Sequence, residues 1–310
     1  LINTALNITR SKNLAWQERK AASFLFTPEF CGYQLQGCGA AGVSAYQKTE
    51  EYLTPSKQAD KQQARAGWLA LGTPMTISGA AASPNAGYHT NPATAFLMTV
   101  FNVRLGWWIQ NTSKLEHWVN TGPRQSIEYL RKELLANTSD ADEFVYVSDG
   151  GHFENLGIYE LVRRRCRYII ASDAGCDPNY TFEDLGNAIR KCQIDLGIEI
   201  SIDPAAIVPD PETSNSLLHC VVGRIHYEQH DPGAAPGYLL YIKASLSGNE
   251  PTDIKQYKAE HSDFPHESTG DQWYSESQFE SYRKLGQHVA EQVLQQAHTD
   301  ASGVQSCDLE

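Results

Sequence analysis

Apolar runs and helical spacing alternate in the middle of the chain. Phe144–Val147 is a four-residue apolar run of the kind expected in a strand buried on both faces, and Tyr168–Ser172 is a second such run. Between them, apolar residues recur at a helical spacing from Leu156 to Cys166, with arginines near the C-terminal end, where cations suit the helix dipole. The pattern predicts a β-α-β unit with parallel strands and a right-handed crossover.

The elements that follow continue this alternation. Residues 181–197 predict a helix that begins with a capping box formed by Thr181 and Asp184, and residues 198–203 predict another strand. Two β-rich runs, residues 217–227 and 237–246, flank a turn-rich segment and are expected to pair antiparallel at one side of the sheet. A helix is predicted from about residue 277 to residue 294.

The N-terminal half is less regular. The sequence predicts extended segments at residues 1–8 and 23–33 and a surface loop region at residues 35–65. It also predicts a connecting helix at residues 123–137. The most apolar stretch, Pro92–Ile109, is interrupted by Asn102 and Arg104 and is too short to span a membrane. It is interpreted as a buried helix, in preference to an interfacial helix whose tryptophans lie at the end that faces water.

No repeat or clean domain boundary is visible, so residues 1–297 are expected to form one α/β domain and residues 298–310 a flexible tail. The formal net charge of −12 argues against a nucleic-acid partner. The seven cysteines include no C-x-x-C pair, which favours reduced thiols in a cytosol-like compartment over a zinc site, and the ten histidines show no metal-ligand spacing. The chain opens with Leu and no signal peptide, so a native start upstream is expected.

Asp149 is the leading candidate for chemistry. It follows the first buried run, and Gly150 and Gly151 allow a tight turn and leave space in front of the carboxylate. Such a carboxylate can accept a proton from a hydroxyl or hold a metal ion, or it can simply cap the turn or the helix that follows. Asp173 follows the second run, and both aspartates are expected at the same edge of the sheet.

Two segments in order, Ile77–Tyr88 ("ISGAAASPNAGY") and Val145–Leu161 ("VYVSDGGHFENLGIYEL"), resemble the patatin-like phospholipases, most closely large bacterial members. The resemblance implies a three-layer α/β/α fold with a mainly parallel central sheet and an antiparallel edge. It also implies that Asp149 partners a nucleophilic serine in a Ser-Asp dyad that hydrolyses a glycerolipid or other ester without metal or cofactor. Contact with a membrane surface, on the cytoplasmic side and through segments outside this chain, stays open.

One part of the family pattern is missing. No G-x-S-x-G elbow is present, because "GVSAY" has Tyr46 in place of its last glycine and "TISGA" has Thr76 in place of its first. The irregular run Gly37–Gly42 is not assigned as the oxyanion loop. The chain is therefore interpreted as the C-terminal part of a patatin-like hydrolase, which supplies the base and lacks the nucleophile.

Several alternatives remain. Ser78, followed by the small residue Gly79, is either an unorthodox nucleophile or a packing residue, and His152 is read as a polar residue near the mouth of the site. Asp149 and Asp173, with Asp177, could instead hold Mg²⁺ in a phosphate-transferring site. An inactive interaction module is the third possibility.

Overall fold

The computed structural model describes residues 1–10, 19–35, 43–50, 71–80, 105–114, 122–123, 126–268, 270–271 and 273–301. The chain divides into two compact units, Leu1–Gly157 and Ile158–Glu310. Each unit has its own β-sheet, and each sheet is formed by strands of that unit alone.

The first unit contains a six-stranded sheet in the order β4-β3-β2-β1-β6-β5, in which every neighbouring pair is antiparallel. Its strands are β1 (Ile2–Asn7), β2 (Ala21–Phe26), β3 (Phe30–Leu35), β4 (Val43–Lys48), β5 (Trp107–Gln110) and β6 (Phe144–Asp149). In the described part of this unit the sheet is accompanied by the helices α1 (Gly72–Ser78) and α2 (Ser126–Leu134). The predicted extended pieces at the N-terminus and the predicted strand at Phe144–Val147 are confirmed.

The core of this sheet fixes the position of α1. Ile77 is fully buried in one apolar cluster with Leu6 of β1, Phe24 of β2 and Val147 of β6. Burying one such side chain contributes roughly 1.5–3 kcal/mol, so Ile77 holds the short helix firmly on the sheet. The last residue of the helix is thereby placed beside the ends of β1 and β6.

The second unit contains a four-stranded mixed sheet in the order β7-β10-β9-β8. Its strands are β7 (Tyr168–Asp173), β8 (Ile200–Ser201), β9 (Cys220–Ile225) and β10 (Gly237–Lys243). Its helices are α3 (Ile158–Arg163), α4 (Glu183–Lys191), α5 (Tyr227–His230), α6 (Thr252–Glu260) and α7 (Glu276–Ala301). The predicted antiparallel pairing of β9 with β10 and the predicted C-terminal helix are confirmed.

The predicted three-layer α/β/α fold with a mainly parallel central sheet is wrong. β6 and β7 do not form one β-α-β unit, because β6 pairs antiparallel with β1 and β5, whereas β7 belongs to the other sheet. Within the described residues, β7 with β10 is the one parallel pair. An apolar run indicates that a strand is buried but does not specify which strand it pairs with, so two strands that follow each other in sequence could be separated into two sheets.

Two local predictions for the first unit also need correction. Residues 107–109, which were expected in a buried helix, lie in strand β5. Strand β4 lies inside the stretch that was expected to be a surface loop region. Residues 81–104, which carry most of that helix and most of the small-residue segment after Ile77, are outside the described residues. No helix in the described part of the chain is long and apolar enough to cross a bilayer.

The start of α4 differs from the predicted capping box. The residue before the helix is Phe182, in a left-handed conformation and without a side-chain cap. The carboxylate of Asp177 instead accepts hydrogen bonds from the backbone N–H groups of Thr181 and Phe182, at 2.9 and 2.8 Å. Asp177 thus fixes the two residues that lead into the helix. Helix α7 continues to Ala301, and the end of the predicted flexible tail, residues 302–310, lies outside the described residues.

Candidate active-site cleft at Asp149

Asp149 is the last residue of β6 and lies opposite Thr4 of β1 in the sheet. A short 3-10 turn, Gly150–His152, begins directly after it, and its Oδ1 accepts a hydrogen bond from the backbone N–H of Gly151 at 2.7 Å. The expected turn-capping role is therefore present. Among the described residues, the other carboxylate oxygen, Oδ2, has no hydrogen-bond partner, so capping uses only half of this carboxylate.

Asp149 lines a cleft of about 510 Å³ in the first unit. This volume is within the range of typical small-molecule sites. The lining combines polar and apolar side chains with three glycines. Its polar residues are Asn3, Ser78, Asp149, Glu154 and Asn155, its apolar residues are Leu1, Ile2, Met75 and Leu156, and its glycines are Gly150, Gly151 and Gly157.

The two glycines after Asp149 are required by close contacts. A Cβ atom on Gly150 would lie 2.7 Å from the backbone oxygen of Asn3, so only glycine lets the turn pack this tightly on β1. A Cβ atom on Gly151 would lie 2.7 Å from Oδ1 of Asn155 and 3.2 Å from Oδ1 of Asp149. The expectation that these glycines shape the turn and keep side chains away from the carboxylate agrees with these contacts.

Ser78 lines the same cleft as Asp149. It is the last residue of α1, and its hydroxyl donates a 2.7 Å hydrogen bond to the backbone oxygen of Asn3. A carbonyl oxygen does not remove a proton, so Ser78 is positioned in the cleft but is not activated in this arrangement. Gly79 caps the helix through its N–H on the carbonyl of Met75, at 3.1 Å, and is not part of the cleft lining.

Asn3 is a cleft residue that the sequence did not indicate. Its side-chain oxygen, Oδ1, is buried and has no hydrogen-bond partner among the described residues. A buried amide oxygen without a donor is uncommon in proteins and is costly unless a donor reaches it. Asn3 thus holds an unused hydrogen-bond acceptor beside the cleft that it lines. A single asparagine in a strand carries no sequence signal for this role.

His152 is tied to the end of β6 rather than to the cleft. Its Nδ1 lies 2.7 Å from the hydroxyl of Ser148, which in turn accepts a 2.8 Å hydrogen bond from the amide of Asn7. Ser148 is fully buried, so this chain of hydrogen bonds fixes the imidazole. His152 is not one of the residues that line the cleft, although it directly follows Gly151, which does.

Asp173 does not share a sheet edge with Asp149, because β6 and β7 belong to different sheets. Its carboxylate is almost completely buried, and it accepts hydrogen bonds from Tyr241 at 2.5 Å and from Lys243 at 3.1 Å. The Nζ atom of Lys243 also lies 3.9 Å from Oδ2 of Asp177. Lys243 therefore lies between Asp173 and Asp177, and the sheet edge that Asp149 and Asp173 would have to share in order to hold Mg²⁺ together is absent among the described strands.

The described residues bring three other potential metal ligands together. His219, Glu250 and His288 each offer a ligand atom, and these atoms lie within 4.8 Å of one another. The three residues are far apart in the sequence, which explains why no ligand spacing was visible.

Comparisons with protein-family models, curated proteins and solved structures found no match for this chain. The resemblance to patatin-like phospholipases consequently stays a prediction from the two sequence segments.

Proposed function

We propose that the Asp149 cleft hydrolyses carboxylic esters, with Asp149 as the general base. The observation that carries this proposal is the carboxylate itself, which lines a cleft with one oxygen unengaged among the described residues. A carboxylate held by a single backbone hydrogen bond keeps acceptor capacity for a proton. The resemblance of the residues around Asp149 to a Ser-Asp hydrolase motif supports the same assignment.

In the proposed reaction, Asp149 takes the proton of a serine hydroxyl while the serine oxygen bonds to the ester carbonyl carbon. The bond from that carbon to the alcohol oxygen then breaks, and Asp149 returns the proton to the leaving alcohol. Water repeats the sequence on the acyl-enzyme, which releases the carboxylic acid and restores the serine. All atoms and protons are accounted for in this reaction without a metal ion or a redox cofactor.

Ser78 is the first serine to test as the nucleophile, because it lines the cleft together with Asp149. To act, its hydroxyl must exchange the hydrogen bond to the Asn3 carbonyl for one to the aspartate. If Ser78 keeps its present contact, it acts as a positioning residue, and the attacking serine is a different one.

The apolar part of the lining supports an acyl substrate. The cleft that contains the polar residues is also lined by four apolar residues, Leu1, Ile2, Met75 and Leu156. Leu1 and Met75 are largely exposed, and contact with a hydrocarbon chain would remove their surface from water. We propose lipid acyl esters as the substrate class, with short-chain esters as weaker substrates.

The test is hydrolysis of p-nitrophenyl butyrate and p-nitrophenyl decanoate by the purified chain, with circular dichroism to verify folding. Asp149→Asn is expected to lower turnover by about 100-fold or more, the usual contribution of a general base. Asp203→Asn is the matched control, since Asp203 also accepts a backbone N–H two residues ahead, at 3.0 Å, but lies outside the cleft lining.

Ser78→Ala separates the two versions of the mechanism. Loss of turnover in both Asp149→Asn and Ser78→Ala would assign Ser78 as the nucleophile, whereas loss in Asp149→Asn alone would assign another serine. Ser281→Ala is the control, because Ser281 also donates to a backbone carbonyl, at 2.7 Å, but lies in helix α7, outside the cleft lining. Unchanged turnover in Asp149→Asn, or no turnover by the folded chain, would overturn the proposal.

A second candidate function is binding of an acyl compound without hydrolysis. The observation in its favour is the hydrogen bond of Ser78 to the Asn3 carbonyl, which leaves the hydroxyl unactivated. Saturable binding of decanoate without turnover of its ester, reduced in a variant that narrows the cleft such as Gly151→Leu, would support it.

A further inference from the structure

The cluster of His219, Glu250 and His288 lies within the second unit, and its residues come from three separate elements. His219 directly precedes β9, Glu250 lies just before α6, and His288 is in α7. Their potential ligand atoms lie within 4.8 Å of one another. Two imidazoles and one carboxylate are the donor set that Zn²⁺ and related divalent ions use in proteins.

Both ring nitrogens of His219 lie within hydrogen-bond distance of a serine hydroxyl. Its Nδ1 lies 2.8 Å from the hydroxyl of Ser245, which is also 3.3 Å from the backbone oxygen of Lys243, and its Nε2 lies 3.1 Å from the hydroxyl of Ser247. In the tautomer in which Nδ1 donates to Ser245, Nε2 carries the lone pair, and a metal ion at Nε2 would replace its contact with Ser247. A buried histidine that donates its other ring N–H in this way is the usual arrangement of a metal-ligating imidazole.

The carboxylate of Glu250 is also held in place. Its Oε2 accepts a hydrogen bond from the backbone N–H of Gly248 at 2.9 Å, and its Oε1 accepts from the backbone N–H of Ser247 at 2.5 Å. His219 and Glu250 are both 4% exposed, so two of the three potential ligands are preorganised inside the unit.

The third group, His288, is adjustable. It is only partly buried, and Nε2 contacts the side chains of Asn249 at 2.9 Å and Gln292 at 3.0 Å. Zinc bonds of about 2.0–2.1 Å place tetrahedral ligand atoms roughly 3.3 Å apart, so these atoms would have to close by up to about 1.5 Å. A side chain on the surface of a helix can supply that movement by a rotamer change.

We propose that His219, Glu250 and His288 bind one divalent transition-metal ion of the Zn²⁺ class, with solvent completing the coordination. Without the ion, the same residues form a polar network that connects the loop after β10 to α7. The bound ion would link these two segments and stabilise the second unit, because a ligand that binds the folded state alone raises its stability.

The test uses Co²⁺ as a spectroscopic probe and Zn²⁺ in calorimetric titrations of the whole chain after treatment with a chelator. We expect one equivalent of Co²⁺ to give visible ligand-field absorption, and one equivalent of Zn²⁺ to displace it and to raise the thermal midpoint. His288→Gln should weaken binding at least tenfold, whereas His230→Gln, a change of an exposed histidine outside the cluster, should leave binding unchanged.

His219→Gln is the second variant, and circular dichroism shows whether it folds. If it folds, it should lose the one-equivalent site completely, and if it does not fold, the result for His288→Gln decides. Absence of a stoichiometric site in the wild-type chain, or equal affinity in His288→Gln and the wild type, would overturn the proposal, since any binding would then be adventitious.

Discussion

Asp149 in the first unit and Asp173 in the second unit have the same local setting but different surroundings. Each ends a six-residue strand, and each accepts a hydrogen bond from the backbone N–H two residues ahead, at 2.7 Å for Asp149 and 2.8 Å for Asp173. The second oxygen of Asp173 is bonded to Tyr241 and Lys243, whereas that of Asp149 has no partner among the described residues. Both oxygens of the Asp173 carboxylate are thus hydrogen-bonded within the fold, whereas among the described residues the Asp149 carboxylate keeps one oxygen that can accept a proton.

The difference comes from neighbours that are distant in sequence. Strand β10 runs parallel to β7 and places Lys243 opposite Asp173 in the register. Strand β1 runs antiparallel to β6 and places Thr4 opposite Asp149, with no basic side chain at that position. The partner strand, rather than the strand that carries the aspartate, therefore decides whether such a carboxylate is neutralised.

The largest expected effect on stability is that of Asp173→Asn. The side chains of Asp173 and Lys243 are both almost completely buried, so this substitution leaves a buried ammonium without its nearest counter-charge. Breaking a buried pair in this way costs about 3–5 kcal/mol. Urea denaturation should show this loss, whereas Asp149→Asn, which keeps an oxygen for the Gly151 N–H, should change the free energy of unfolding by less than about 0.5 kcal/mol. Equal losses in the two variants would remove the contrast between the two aspartates.

The next effect concerns one glycine near each aspartate, Gly150 directly after Asp149 and Gly175 two residues after Asp173. In Gly150→Ala the new methyl group would meet the backbone oxygen of Asn3 at 2.7 Å, and a strand backbone cannot move away easily. We expect a loss of about 1–3 kcal/mol in the free energy of unfolding, as for overpacking in a core. In Gly175→Ala the methyl group would meet carboxylate oxygens of Asp173 and Asp184 at 3.1 and 3.3 Å, which can shift, so the loss should be smaller. Thermal or urea denaturation of both variants would check this order, and the reverse order would contradict it.

The smallest effect is a pH dependence at Asp177. Burial would raise the pKa of Asp177, but hydrogen bonds from Thr181 and Phe182 and the charge of Lys243 outweigh it, so the pKa is lowered from 3.8. A carboxyl group with a lowered pKa stabilises the fold above its unfolded-state pKa, and this contribution is lost as the pH falls through the folded-state pKa. The stability difference between the wild type and Asp177→Asn should be constant above about pH 5 and should shrink below about pH 4. A difference independent of pH from 7 to 3 would contradict this account.

The sequence predicted local features better than the pairing of strands. The strand at Phe144–Val147, the pairing of β9 with β10 and the long helix α7 were all predicted, because each depends on periodicity or on a turn-rich connection. The parallel pairing of β6 with β7 was predicted wrongly. Hydrophobic periodicity reports burial, and the partner of a strand depends on contacts across the whole chain.

The candidate site was predictable only in part. Asp149 and its two glycines form a local motif, and the structure places them in a cleft with Ser78, the second residue that the sequence singled out. The roles of Asn3 and of the His219 cluster depend on contacts between distant segments, so no motif could reveal them. The buried pairing of Asp173 with Lys243 was hidden for the same reason.

The most direct test of the central claim is intact-mass analysis after exposure of the folded chain to a fluorophosphonate, which reacts with activated serines. The account predicts one adduct in the wild type and in Asp203→Asn, and a loss of that adduct in Asp149→Asn. Peptide mapping then identifies the serine. Labelling of Asp149→Asn at the wild-type rate, or no labelling of the folded wild-type chain, would contradict the assignment of Asp149 as the base of a serine hydrolase.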